Sequence, residues 1–285
     1  MALKRILSRE KIVYGAAAAL VLALLAAITL RERPDNIELS QVQIVVFGDS
    51  LCGMVRDETS IPAQVGELMG MTVFNGAFGG TCVSRVDEER RLDRYGDSLS
   101  LVGLTKAIAA GDFGVQQSLK VRGNNTEYFE ETVDGLERID FSAVELLLIM
   151  HGLNDYYAGA PICNEKDPYD EYTFIGALRS SLEYLQRVNP RMRIVLVTPT
   201  YTWYLGIKQT CEEYDAGYGV QEDYIRAEMD LAQELGIEVV DISRDVYPHE
   251  NWEDWALYTV DGLHPNEDAR ELLARTIAEY LKQSQ

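Results

Sequence analysis

Short apolar runs separated by amphipathic stretches organise the chain from Gln43 onward. Ile44-Val45-Val46-Phe47 is closed by Gly48 and suits a strand buried on both faces. Ser60 and Pro62 mark a helix start, with Val65, Leu68 and Met69 turned inward. Thr72-Val73-Phe74 reads as a second strand, stopped by the Gly76 to Gly80 loop, and helical signals recur between Leu99 and Ala110 and around Tyr128 to Ile139. Val144 to Met150 is the clearest strand, too apolar for a half-exposed position. Phe174, Leu178, Leu182, Leu185 and Val188 then repeat at helical spacing until Asn189-Pro190 stops them. Ile194 to Val197 is the fourth strand; Tyr224 to Leu235 is an amphipathic helix closed by Gly236, and Ile237 to Val240 is the fifth strand. A final helix carries Leu272, Leu273, Thr276, Ile277, Tyr280 and Leu281. This alternation predicts a three-layer α/β domain around a parallel sheet.

The stretch before this domain has a different pattern. Ile12 to Leu30 holds no charge, is preceded by Lys4, Arg5, Arg9 and Lys11, and meets Arg31 and Arg33. A cleaved signal has an apolar core of about 7–15 residues, whereas roughly 17–25 residues span a bilayer. Ile12 to Leu30 fits the longer class, and Ala27-Ile28-Thr29 is a weak cleavage site, so an uncleaved single-pass anchor is expected. Cleavage would instead leave a secreted protein. The basic flank, residues 1–11, predicts that end inside and the catalytic domain outside, with residues 31–42 as linker and 43–285 as the folded domain.

A net charge of −20 disfavours nucleic acid and anionic membrane surfaces as partners. The 4 cysteines, Cys52, Cys82, Cys163 and Cys211, show no metal-ligand spacing. An oxidising location would permit three pairings among them. Cys163 and Cys211 lie in polar, Tyr-rich segments after two strands, and a disulfide joining those loops is expected.

Chemistry concentrates in Gly48-Asp49-Ser50-Leu51, Gly80, Gly152-Leu153-Asn154-Asp155 and Asp261-Gly262-Leu263-His264. Ligand sites in parallel sheets form at the carboxyl ends of strands. Ser50 lies past strand one, Gly80 past strand two, Asn154 past strand three, and His264 just before the last helix, so all four fall on one rim. A serine hydroxyl needs a base to become a nucleophile. Of the 3 histidines, His264 alone has an acid, Asp261, on a short turn where it can fix the tautomer. His151 reads as a hydrogen-bonded residue beneath the site and His249 as surface loop. The Ser50 and Gly80 amides and the Asn154 side chain can face a developing oxyanion. Asp49 and Asp155 are expected to shape their loops.

These blocks resemble the SGNH hydrolase superfamily, the GDSL esterases and lipases. Ser50, Gly80, Asn154 and His264 match its four naming residues, and Gly48-Asp49-Ser50-Leu51 is the GDSL block itself. Asn75-Gly76-Ala77-Phe78-Gly79-Gly80-Thr81 resembles the second block, with Gly79 adjacent to the assigned glycine. The resemblance implies a flavodoxin-like α/β/α sandwich of five parallel strands, a Ser50, Asp261, His264 triad, and ester hydrolysis or acyl transfer without metal or other cofactor. The Gly-x-Ser-x-Gly elbow of α/β-hydrolases is absent, since Cys52 takes its last position.

Two inserts, Tyr156 to Tyr172 and Tyr201 to Gly219, bring Tyr156, Tyr157, Tyr201, Trp203 and Tyr204 near the rim. These rings either stack on sugars or pack the inserts internally. The expected substrate is a small-molecule or glycan ester, with an O-acetylated cell-surface glycan preferred. An acyltransferase or lysophospholipase with the same triad, and an inactive glycan-binding surface protein, are the rival readings.

Overall fold

The computed structural model describes residues 38–85, 95–119 and 129–284. The expected anchor, Ile12 to Leu30, lies outside them, and no helix among the described residues is long and apolar enough to cross a membrane. The strands are β1 (Ile44–Gly48), β2 (Val73–Asn75), β3 (Leu146–Met150), β4 (Arg193–Val197), a short antiparallel hairpin of β5 (Trp203–Tyr204) and β6 (Gln209–Thr210), and β7 (Glu238–Val240). The main sheet has five strands in the order β2-β1-β3-β4-β7. Every pairing in it is parallel.

All residues of β1 and β3 are buried, because helices cover both faces of the sheet centre. Their register aligns Gly48 with Met150, so both strands finish at the same level. Burying a side chain such as Phe47, fully enclosed, contributes about 1.5–3 kcal/mol. At the edge of the sheet, Arg193 grips Glu238 through Nε at 2.8 Å and Nη2 at 2.7 Å, joining β4 to β7.

Helix Ile61–Met69 begins where its cap was predicted: Ser60 accepts from the Ala63 amide, and Gly70 closes the helix in the left-handed region. It packs against the last helix, Glu267–Gln283, while Leu101–Ala110, Phe174–Val188 and Gln221–Leu235 pack in series. In the last helix the buried face is Ala269, Leu273, Ala274, Ile277, Ala278 and Leu281, and Leu272 stays exposed. The small alanines allow close approach to Ile61–Met69, so the buried stripe is rotated from the bulkiest apolar positions. The first insert begins inside a helix, Leu153–Ala158, and the second contains the β5–β6 hairpin; neither element was predicted.

The order reverses at β1: its connection leads out to β2, and the chain then returns across β1 to β3. The carboxyl ends of β1 and β3 therefore border the switch point where such sheets form their crevice.

Helix Gln221–Leu235 carries one unfavourable group. Glu228 is buried, its Oε2 has no hydrogen-bond partner among the described residues, and burial together with Asp155 and Asp241 pushes its carboxyl well above the usual range. Folding therefore takes up a proton at Glu228, a contribution favourable at low pH and lost as pH rises through the folded value. Glu228→Gln is expected to raise the Tm at pH 8 by at least about 3 °C, with the gain shrinking towards zero near pH 4. Thermal unfolding of both proteins across that pH range checks this.

Candidate active site

Ser50 opens a four-residue helix directly after β1. Asp49 caps that helix, accepting the Leu51 amide on Oδ1 at 3.0 Å. The Ser50 hydroxyl is thereby set, half-buried, at the strand end. Its partner arrives from the far end of the chain: His264 Nε2 lies 2.8 Å from Ser50 Oγ. On the other side of the ring, Nδ1 lies 2.7 Å from Asp261 Oδ2. Asp261 Oδ1 accepts the Leu263 amide at 3.0 Å and the His264 amide at 2.9 Å. Partial burial opposes the Asp261 charge, but the hydrogen bonds from His264 and Leu263 outweigh it and hold the carboxyl below the usual range. Asp261 is thus an ionised acceptor that sets the tautomer with the proton on Nδ1, leaving Nε2 to accept from Ser50.

The other histidines lie elsewhere. His151 follows β3, is buried with Nδ1 unpartnered among the described residues, and is pushed down to about 3 by burial, so it is neutral. His249 stacks on Tyr201 at 4.1 Å and has Nδ1 3.2 Å from the Tyr247 carbonyl.

Asn154 sits in helix Leu153–Ala158 after β3 and donates one Nδ2 hydrogen to the Thr81 carbonyl at 2.9 Å. That bond orients the amide and leaves its second N–H for another acceptor. The neighbouring Asp155, fully buried, takes the Val83 amide at 2.7 Å, the Ser84 amide at 2.9 Å and the Ser84 hydroxyl at 2.6 Å. Two consecutive side chains therefore hold the segment after Gly80. Gly80 has φ +72, a conformation that Gly79 does not share, and this distinguishes the two adjacent glycines of that block. Among the described residues no group of His, Cys, Asp and Glu is placed to hold a metal ion.

The family model for GDSL-like Lipase/Acylhydrolase family matches residues 46–272, a span that includes Ser50, Gly80, Asn154, Asp261 and His264. The chain belongs to this GDSL-like family. Comparison with curated protein sequences gives no match. Among solved structures, a protein from Lactobacillus plantarum is 19% identical, with 86% of this chain and 99% of that one covered at a TM-score of 0.61. A possible lipase from Chitinophaga pinensis is 17% identical, with 85% and 98% covered and a TM-score of 0.54. Est24, a carbohydrate acetylesterase from Sinorhizobium meliloti, is 15% identical, with 86% and 100% covered and a TM-score of 0.51. At these identities the likeness establishes the shared fold.

Within this GDSL-like domain the predicted aromatic platform takes another form. Tyr156, Tyr201, Trp203 and Tyr204 are buried, and Tyr157 alone is exposed. Tyr156 gives its hydroxyl hydrogen to the Tyr214 carbonyl at 2.7 Å, and Tyr201 packs edge-on to Trp203 at 4.8 Å. The inserts bury these rings because short segments with little aliphatic mass need them as a core. The expected Cys163–Cys211 disulfide is not formed: both thiols are free, Cys163 exposed and Cys211 buried. Cys211 is committed inward by its amide, which donates to the Thr202 carbonyl at 3.0 Å across the hairpin. Cys52 and Cys82 are both buried, with Cys52 Sγ 3.5 Å from Met150 Sδ.

Arg56 and Arg270 carried no sequence signal, and the supporting bonds of Asn75 and Trp203 were not foreseen. Arg56 donates to the Asn75 carbonyl at 2.6 Å and the Ala77 carbonyl at 3.1 Å, and Asn75 donates to the Cys52 carbonyl at 2.8 Å. These bonds tie the loop leading to Gly80 onto the Ser50 helix. Arg270 donates to the Pro265 carbonyl at 3.1 Å and to Thr59, bracing the chain just after His264. The Trp203 amide donates to the Gly262 carbonyl at 2.8 Å. Gly262 has φ +91, and a Cβ there would lie 2.2 Å from the Trp203 carbonyl oxygen. Gly262→Ala is therefore expected to push the Asp261–His264 turn off the hairpin and cut ester-hydrolysis kcat/KM by about 100-fold. Steady-state kinetics on a nitrophenyl ester, with circular dichroism to confirm folding, measures this.

Proposed function

We propose that this GDSL-like family member is a serine esterase in which Ser50 is the nucleophile, His264 the general base and Asp261 its orienting carboxylate. The observation that carries this is the continuous contact from Ser50 Oγ through the His264 ring to Asp261, at 2.8 and 2.7 Å. His264 Nε2 takes the hydroxyl proton as Ser50 attacks the acyl carbon, and Asp261 stabilises the resulting imidazolium. The tetrahedral oxyanion is met by the Ser50 amide, the second Asn154 N–H and the Gly80 amide, each such donor contributing about 2.7–4 kcal/mol in a preorganised site. His264 then gives its proton to the leaving alkoxide, and a water molecule repeats the sequence to release the acid.

An O-acetylated carbohydrate is the favoured substrate. Support comes from Tyr157, three positions after Asn154 in the same helix and so on a neighbouring part of its surface. Its ring is exposed and backed by Tyr204 at 5.6 Å in near-parallel stacking. A rigidly backed, exposed ring suits a sugar face. The anchor segment Ile12 to Leu30, with its basic flank, supports placement of the domain outside the membrane, where cell-surface glycans are found.

A fluorophosphonate probe is expected to label the wild-type protein and not Ser50→Ala; a folded wild type that stays unlabelled would refute the triad. In an acyl-length series, acetyl esters should be turned over fastest, and activity confined to long acyl chains or lysophospholipids would reject the carbohydrate assignment. Transfer of the acyl group to a sugar in preference to water would identify an acyltransferase. Tyr157→Ala should raise KM for an acetylated oligosaccharide about three- to tenfold, with nitrophenyl acetate unaffected.

A further inference from the structure

Two carboxyl groups accompany the Ser50–His264 pair in contrasting surroundings. Asp155 has three donors within 2.9 Å, a setting that suits a carboxylate. Asp49 is 1% exposed, and Oδ1 receives the Leu51 amide. Its Oδ2 is buried and has no hydrogen-bond partner among the described residues. Capping the helix needs only Oδ1, and asparagine caps about as well as aspartate. The acid at this position therefore exceeds what the turn requires. An ionised oxygen without a donor is costly in a buried site, and Asp49 directly precedes Ser50, whose Oγ lies 2.8 Å from the base.

The titratable groups that face Asp49 are His264 from the loop before the last helix, Asp155 from the helix after β3, and Cys52 along its own helix, with Arg56 bearing on Cys52. Burial and Asp49 together push the Cys52 thiol far up, so it stays neutral. Asp155 is matched by its three donors. His264 is the facing group whose charge changes during ester hydrolysis.

We propose that Asp49 is a positioning residue whose ionisation sets the proton affinity of His264, a second carboxyl acting on the base beside Asp261. The inference rests on the triad reading above. With Asp49 protonated, Asp261 alone balances the imidazolium. With Asp49 ionised, a second negative charge favours the imidazolium across a medium of low dielectric constant. Burial, reinforced by Asp155 and opposed by the Leu51 amide and His264, pushes the Asp49 carboxyl up to about 7. The change of charge then falls in the range where an imidazole base works.

The test uses Asp49→Asn in the full-length protein, which retains the Oδ1 cap. In a Ser50→Ala background, nuclear magnetic resonance titration of the His264 ring is read directly, and the chain has only 3 histidines to assign. The wild-type Asp49 background is expected to give a curve broadened beyond one proton. Asp49→Asn is expected to give a single-proton curve with its midpoint at least about 0.5 unit lower, because a negative charge has been removed. In the Ser50 background the acid limb of kcat/KM should move the same way. An unchanged midpoint and shape would overturn the proposal and leave Asp49 as a cap. If Asp49→Asn does not fold, Asp49→Ser keeps a capping oxygen and is read by the same criteria. Failure of the triad reading is seen separately, as wild-type protein that the fluorophosphonate probe does not label.

Discussion

The contact between His264 and Ser50 joins residues 214 positions apart, and most of the architecture around the rim can be understood as holding it. If the pair transfers a proton as proposed, a misplacement of about 1 Å would cost that step some two orders of magnitude, so the short Asp261–His264 turn needs support on several sides. Trp203 holds it through the Gly262 carbonyl, Thr259 accepts the Gly262 amide at 2.8 Å, and the Val260 amide returns to the His264 carbonyl at 2.9 Å. Arg270 braces the following residue from the last helix. The parallel sheet supplies the fixed end by presenting Ser50 at the carboxyl end of β1.

The segments proposed to meet the oxyanion obey the same logic. Asn154 and Asp155 are consecutive in one short helix, and they reach Thr81, Val83 and Ser84 in the segment that follows Gly80. Arg56 and Asn75 fasten the preceding residues to the Ser50 helix. Donors that arise from three strand ends are thus cross-linked by hydrogen bonds into one unit. In the proposed reaction such preorganisation would let them stabilise charge without reorganising.

This arrangement collects buried acids near the strand ends. Asp155 is fully satisfied, whereas Asp49 and Glu228 each keep an oxygen without a partner among the described residues. Those two groups weaken the fold as pH rises, which is the expected direction when a site is shaped for electrostatics at some expense of stability. The hairpin and inserts answer part of this cost by burying aromatic rings, including Trp203 and Tyr156.

Much was legible before folding was considered. The five strands follow from apolar runs, the helix start at Ser60 from its cap and proline, and the contact of His264 with Asp261 from their three-residue spacing. The order of the four blocks along alternating strands and helices also places them on one rim, because strand ends in a parallel sheet share a level. These features depend on residues a few positions apart. Other features depend on partners far away in sequence: which of Gly79 and Gly80 adopts positive φ, whether the insert aromatics face outward, whether Cys163 meets Cys211, and which stripe of the last helix is covered. The Asn154–Thr81 bond spans 73 positions and the Arg270–Thr59 bonds span 211. By itself the sequence determined the elements and the chemical groups at their ends, since local periodicity and motif spacing encode both. Only the tertiary structure decided burial and hydrogen-bond partners, because those are properties of surfaces brought together by packing.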